Sequence, residues 1–253
     1  YEARTYGFQP TGVDLSQLFI APPAAIKITP QQAFGVTGIV AYQRIQLEGI
    51  QAFAPFSSDA GKLSNNGYDS SFGYGARVGY LGDFGKVAVG ASWQSQLAMG
   101  SFDEYAGLLA EQGGFDIPAN WRAGVAVKPV DALTLSVDYE QILYSDVPAV
   151  ANPLLPNLMT ARLGDDGGAG FGWTDISVWK AGAAYAVTPS LTVRGGFSTG
   201  DQPIGPSEVL PNIIAPGIIE THVTAGLSFK ANGREWNLTV VRALSNNVSG
   251  PNP

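Results

Sequence analysis

The chain has 253 residues, 32 Gly, 17 Pro, 11% aromatic residues and a formal net charge of −7, and only 14% of it is charged, against roughly 25% in soluble domains. It has no cysteine, which excludes disulfides and thiolate metal sites. No apolar run reaches the ~18 residues of a membrane-spanning helix, and no basic stripe marks a nucleic-acid footprint. Few charges, many aromatics and a mean hydropathy of only +0.07 suit an all-β protein, a transmembrane antiparallel β-barrel whose strands alternate between lipid and a polar lumen.

Period-2 alternation bounded by turn residues predicts ten strands, at about 16–29, 33–47, 70–82, 86–99, 119–129, 132–146, 174–187, 190–199, 218–230 and 234–245. In the clearest, "KVAVGASWQSQL", Val87, Val89, Ala91, Trp93, Ser95 and Leu97 share one face and Lys86 to Gln96 the other. The connections alternate strictly. Short ones fall near Pro30–Gln32, Asp83–Gly85, Pro129–Asp131, Thr188–Pro189 and Ala231–Gly233, and long ones cover about 48–69, 100–118, 147–173 and 200–217. Sorting by parity is the habit of outer-membrane barrels, with short periplasmic turns and long extracellular loops. Strands of about ten tilted residues also match the hydrocarbon thickness. Residues 1–253 therefore read as one partial barrel domain. Ten strands alone would leave two open edges in lipid, which is not viable, so neighbouring strands are expected beyond them.

The apolar parity, including Val87, Trp93, Trp121, Val125, Val137, Trp179 and Trp236, is expected to face lipid. The opposite parity carries Arg77, Arg122, Lys180, Arg194, Glu220 and His222 into the lumen. Arg242 breaks the rule near the outer end, where a lipid-facing charge costs little. The lumen charges fit either a solvated, salt-bridged interior or a site in which a cation holds a carboxylate headgroup, a role arginine's planar fork suits. The lone His222 beside Glu220 lacks the partners of a nucleophilic triad. "GDDGGAGFG" (164–172) has neither EF-hand spacing nor a P-loop lysine, and its glycines read as loop flexibility. No catalytic residue, metal site or cofactor is expected.

Within the second long loop, Ser101 and Glu104 have capping-box spacing, and Asp103 and Glu104 suit the positive end of a helix dipole. The spacing predicts a capped helix over 102–112, with Phe102, Tyr105, Leu108 and Leu109 on one face. Three turns are too short to be stable alone, so that face must pack on something. The first long loop offers Phe53 and Phe56. Together these six residues form a candidate ligand groove, or else the loops simply plug the mouth.

The chain resembles the FadL-type outer-membrane transporters of long-chain fatty acids and aromatic hydrocarbons. The resemblance rests on "GVDLSQLFIAPP" (12–23), "NNGYDSS" (65–71), "FDEYAGLLAEQGGFDIPANW" (102–121), "GFGWTD" (170–175), "VWKAGAAY" (178–185) and "EVLPNIIAPGIIETHVTAG" (208–226). It implies a fourteen-stranded barrel with a luminal hatch, of which the fourth to thirteenth strands are present here. It also implies capture of a hydrophobic ligand between two outer loops, transfer to an inner pocket and lateral release into the membrane. The expected setting is the outer membrane of a Gram-negative bacterium, as a monomeric barrel among lipid and lipopolysaccharide. Where relatives place lysines, this helix has Asp103, Glu104 and Ala106, which favours a neutral hydrocarbon over a fatty carboxylate. The alternative is a structural or partner-binding barrel with no transport role.

Overall fold

The computed structural model describes residues 10–251. They form one antiparallel sheet of twelve strands. In chain order these are β1 (Gly12–Ile20), β2 (Pro23–Thr29), β3 (Gln32–Glu48), β4 (Asp69–Asp83), β5 (Val87–Gln94), β6 (Ala98–Met99), β7 (Asn120–Val130), β8 (Leu133–Ile142), β9 (Ile176–Thr188), β10 (Leu191–Gly200), β11 (Thr221–Ala231) and β12 (Arg234–Ala243). The spatial order follows the chain from β1 to β12, with β2 also on β3 and β6 also on β4. Among the described residues, β1 and β12 are each paired on one side only.

Two expected strands are each split. The segment 16–29 divides into β1 and β2 at Ala21 and Pro22, and both halves pair with β3. Proline supplies no N–H to the ladder, so Pro22 and Pro23 interrupt it without changing its register. The segment 86–99 divides into β5 and β6. Arg77 opposes Gln94, but Tyr74 opposes Ala98, so one extra residue lies between them. Such a bulge reverses side-chain parity. Leu97, expected on the face of Trp93, instead turns inward. It is fully buried with Ile39 and Ala41 and bridges to Ile117.

Register fixes the two faces of the sheet. Trp93 opposes Val78 and Trp121, Val137 opposes Val125 and Ala181, and Leu227 opposes Leu238. These outward residues are largely exposed. At their outer end Trp121, Tyr139 and Trp179 stack in a row, with ring centroids 5.0 and 4.8 Å apart, as in the aromatic girdle of a barrel. On the other face Ser92 opposes Arg122, Arg122 opposes Glu140, and Asp138 opposes Lys180. Arg242 lies opposite Val223 on the outward face, at the outer end of β12.

The four long loops, 49–68, 100–119, 143–175 and 201–220, all leave the same end of the sheet. They fold over the charged face, which is therefore the interior. Loop packing continues the strand core without a break. Ile45 and Leu47 of β3 are buried with Phe102, Tyr105, Leu109 and Ala149, and Leu63 is buried with Leu154, Leu163 and Ala169 from the third loop.

Candidate functional site

The helix expected over 102–112 is replaced by two short pieces. Asp103–Tyr105 is one 3-10 turn, and Ala110–Gly113 is four residues long with Glu111 and Gln112 at positive φ. The capping box does not form, because the turn begins with Phe102 rather than Ser101 at its N-cap and Asp69 takes the Glu104 N–H. Glu104 N–H donates to an Asp69 carboxylate oxygen at 2.9 Å, and Phe102 N–H donates to the Gly113 carbonyl at 2.9 Å. The amphipathic face survives the change of backbone, but it divides into two roles.

Phe102 and Tyr105 are completely buried and present no surface to a ligand. They anchor the loop. The Tyr105 hydroxyl accepts from Leu47 N–H at 3.1 Å and donates to the Gly67 carbonyl. Burial raises its pKa above the ordinary 10.0, helped by the charges of Glu48, Asp69 and Glu104 and opposed by the Leu47 hydrogen bond. A raised folded-state value means that the tyrosine's contribution is whole below pH 10.0 and is lost as pH climbs through the raised pKa. Tyr105→Phe removes the partner of a buried N–H, so a loss of about 1–3 kcal/mol is expected. Denaturant unfolding at pH 7 measures it. The difference from the parent protein should shrink as pH rises beyond the raised pKa.

Phe53, Leu108 and Leu109 take the other role. They line an outer cavity of about 70 Å³ among the four loops, with Ile50, Leu154, Leu163, Phe171, Pro211 and Ile214. Phe56 stands apart and is exposed. Half of the expected groove residues are thus at the cavity, and most of its wall comes from the third and fourth loops.

Beneath it lies an inner cavity of about 380 Å³, between the loops and the sheet. Val13, Leu15, Ile45, Leu47 and Ile142 form its strand side, and Leu109, Phe115, Val150, Phe171 and Trp173 its loop side. An apolar cavity of about 150 Å³ binds benzene. The inner cavity exceeds that size, while the outer one falls short of it. Trp173 is held by Asn212, whose side-chain oxygen accepts from its indole N–H at 2.5 Å, and Tyr144 packs edge-on against it at 5.0 Å. Burial raises the Tyr144 pKa, and the charge of Glu140 adds to the effect.

Arg122, Asn120 and Glu140, with Gln17 and Asp116, form the polar part of the inner cavity. Glu140 is 6% exposed and takes Arg122 on one oxygen at 2.6 Å and Lys180 on the other at 2.7 Å. These two cations are committed to a carboxylate of the protein. Arg77 donates to the Gln94 side chain and Arg194 to the Ser228 hydroxyl. Each lines a separate hollow lower on the wall, of about 580 and 330 Å³. There Gly35, Gly79, Gly90, Gly124, Gly182 and Gly196 face inward and leave the wall nearly bare of side chains. Glu220 and His222, at the outer end of β11, line none of these spaces.

Phe171 is the residue that sequence reasoning missed. Its glycine flanks looked like flexibility, yet both mark close packing. A Cβ on Gly170 would lie 2.6 Å from the Ala149 carbonyl oxygen, and one on Gly172, at φ +65, would lie 2.4 Å from the Glu208 side chain. Glycines alternating with two aromatics, "GFGW", were the available signal.

A sequence profile described as Gram-negative porin matches residues 11–249. No curated protein matches the chain. Among solved structures, the Ralstonia pickettii toluene transporter TbuX matches 95% of this chain and 66% of its own, at 17% identity and a TM-score of 0.61. The Pseudomonas putida toluene transporter TodX matches 94% and 67%, at 18% identity and a TM-score of 0.65. A Pseudomonas aeruginosa FadL homologue matches 90% and 59%, at 13% identity and a TM-score of 0.63. At these identities the likeness is one of fold. The chain spans about two thirds of the length of the two toluene transporters.

Proposed function

The chain belongs to the Gram-negative porin family, and from that premise we propose that it admits hydrophobic small molecules passively through the outer membrane, neutral monoaromatic hydrocarbons ahead of long-chain fatty acids. As a porin it is an integral outer-membrane protein, not an enzyme. The observation that carries the proposal is the inner cavity, lined mostly by apolar side chains from both strands and loops, polar at one edge, and large enough for an aromatic ring. Its shared fold with toluene transporters supports the same reading. Burial of apolar surface at about 25 cal/mol per Å² supplies the driving force. In this reading residues 1–253 are one barrel domain that works as a monomer among lipid and lipopolysaccharide, without a cofactor.

Charge supports the preference for neutral cargo. The four loops carry Asp or Glu at 59, 103, 104, 111, 116, 146, 165, 166, 175, 201, 208 and 220, but cations only at Lys62 and Arg162. A fatty carboxylate meets repulsion at this mouth, and a hydrocarbon does not. Uptake of labelled toluene and oleate by cells expressing the protein tests both points. Ala215→Trp adds an indole at the wall of the inner cavity and is expected to slow toluene uptake severalfold. Salt screens surface charge, so raising it is expected to favour oleate over toluene. Full toluene uptake by the folded variant would overturn the proposal.

A further inference from the structure

Only Leu109 and Phe171 belong to the walls of both cavities among the described residues. We infer that these two side chains are the barrier between the outer and inner cavities, that they select cargo by cross-section, and that the barrier opens at the backbone turn that follows Leu109. The inference rests on the transport reading above.

The two sides of the barrier are held differently. Phe171 is fixed. Its carbonyl accepts from the Asn212 amide at 2.6 Å, and the glycines on either side are pressed against Ala149 and Glu208. Leu109 is 3% exposed but sits on backbone that is easier to displace. It is extended, and Glu111, Gln112 and Gly113 follow it with φ of 58, 51 and 100. Left-handed backbone is costly for residues that carry a Cβ, and such residues persist only where surrounding contacts impose them.

The turn has backbone bonds of its own, Gly113 N–H to the Leu109 carbonyl and Gly114 N–H to the Ala110 carbonyl at 3.0 Å, and Phe102 N–H holds the Gly113 carbonyl at 2.9 Å. The contacts that tie it to the third loop are fewer, and all are polar. Gln112 N–H donates to the Gly164 carbonyl at 2.8 Å. The Gln112 side-chain amide donates to the same carbonyl at 3.1 Å and to Asp166 at 3.0 Å. Gly164 and Asp166 belong to the loop that also carries Phe171, so one external clamp holds both sides of the barrier together. Gln112 and Asp166 are exposed, where water competes for these bonds. Release of the clamp lets the turn relax to right-handed backbone and carries Leu109 out of the passage. The outer cavity, too small for an aromatic ring while the barrier is shut, joins the inner one when it opens. Neither barrier side chain bonds to polar groups, so a hydrated solute entering here would lose water without replacement.

The test compares uptake of toluene and naphthalene by cells expressing the parent protein and its variants. Leu109→Ala is expected to raise the naphthalene-to-toluene uptake ratio severalfold, and Leu109→Trp to lower it. Phe171→Leu, a milder change on the fixed side, is expected to raise it less. Glu111→Gly relieves the strained turn without touching the clamp, so it should hold the barrier shut and slow both cargoes. If the parent protein takes up both compounds but neither Leu109→Ala nor Phe171→Leu changes the ratio, the barrier is overturned and the transport reading stands. If the parent takes up neither above the level of cells lacking it, the transport reading itself fails.

Discussion

Phe102→Ala is expected to loosen the outer loops by about 3–5 kcal/mol while leaving the strands paired. Phe102 is fully buried with Tyr105, Leu109 and Ala110, against Ile45 and Leu47 of β3, and its ring lies 6.4 Å from that of Phe115. Removing it takes away the transfer energy of the ring and leaves a cavity that the fixed strand side cannot fill. The loops have fewer ties than the sheet, so local opening absorbs the loss. At about 1.4 kcal/mol per factor of ten, opening of residues 100–119 should rise by roughly two to three and a half orders of magnitude. Hydrogen exchange of that segment, or proteolysis in the regime where cleavage follows the open population, measures it. Unchanged exchange would show that Phe102 does not hold the loop. The same variant should blunt cargo selection, because Leu109 packs in this cluster.

Loop anchoring explains what could be read from sequence and what could not. The strands were legible because ten or so residues of alternation leave one consistent assignment of faces, and a slip would put Arg122, Glu140 and Lys180 in lipid. The order of loops was legible because turn residues recur on alternate sides. Leu97 was not, because a single inserted residue reverses parity with no change in composition. The 102–112 segment was half legible. Its apolar spacing marked residues that are buried or line a cavity, but Ser101 and Glu104 promised a cap that Asp69 and Gly113 made unnecessary. Capping signals describe local competition for donors, and here distant partners win it. The cavity itself depends on all four loops meeting. No local pattern reports that Leu154, Phe171 and Ile214, widely spaced in the chain, share a wall with Leu109.

Val137→Arg is expected to destabilise the protein by about 2–4 kcal/mol in a lipid bilayer, the cost of a guanidinium on the lipid face near mid-depth. Val137 lies in the middle of β8, between Val125 and Ala181, and is 46% exposed. Ser136, one residue earlier, faces inward between Ala126 and Gly182, where the neighbouring wall is bare and polar groups are close by. Ser136→Arg should therefore cost well under half as much, although it adds the same side chain at nearly the same depth. Unfolding from lipid vesicles in denaturant gives both values, and equal costs would mean that the two faces are misassigned. Arg242 provides a native comparison. It occupies the lipid parity at the outer end of β12, where the same scale puts the cost at about 0–1 kcal/mol. Moving that charge inward along the strand, as Val240→Arg with Arg242→Val, leaves the composition unchanged yet should still destabilise the protein, because depth rather than residue type sets the energy.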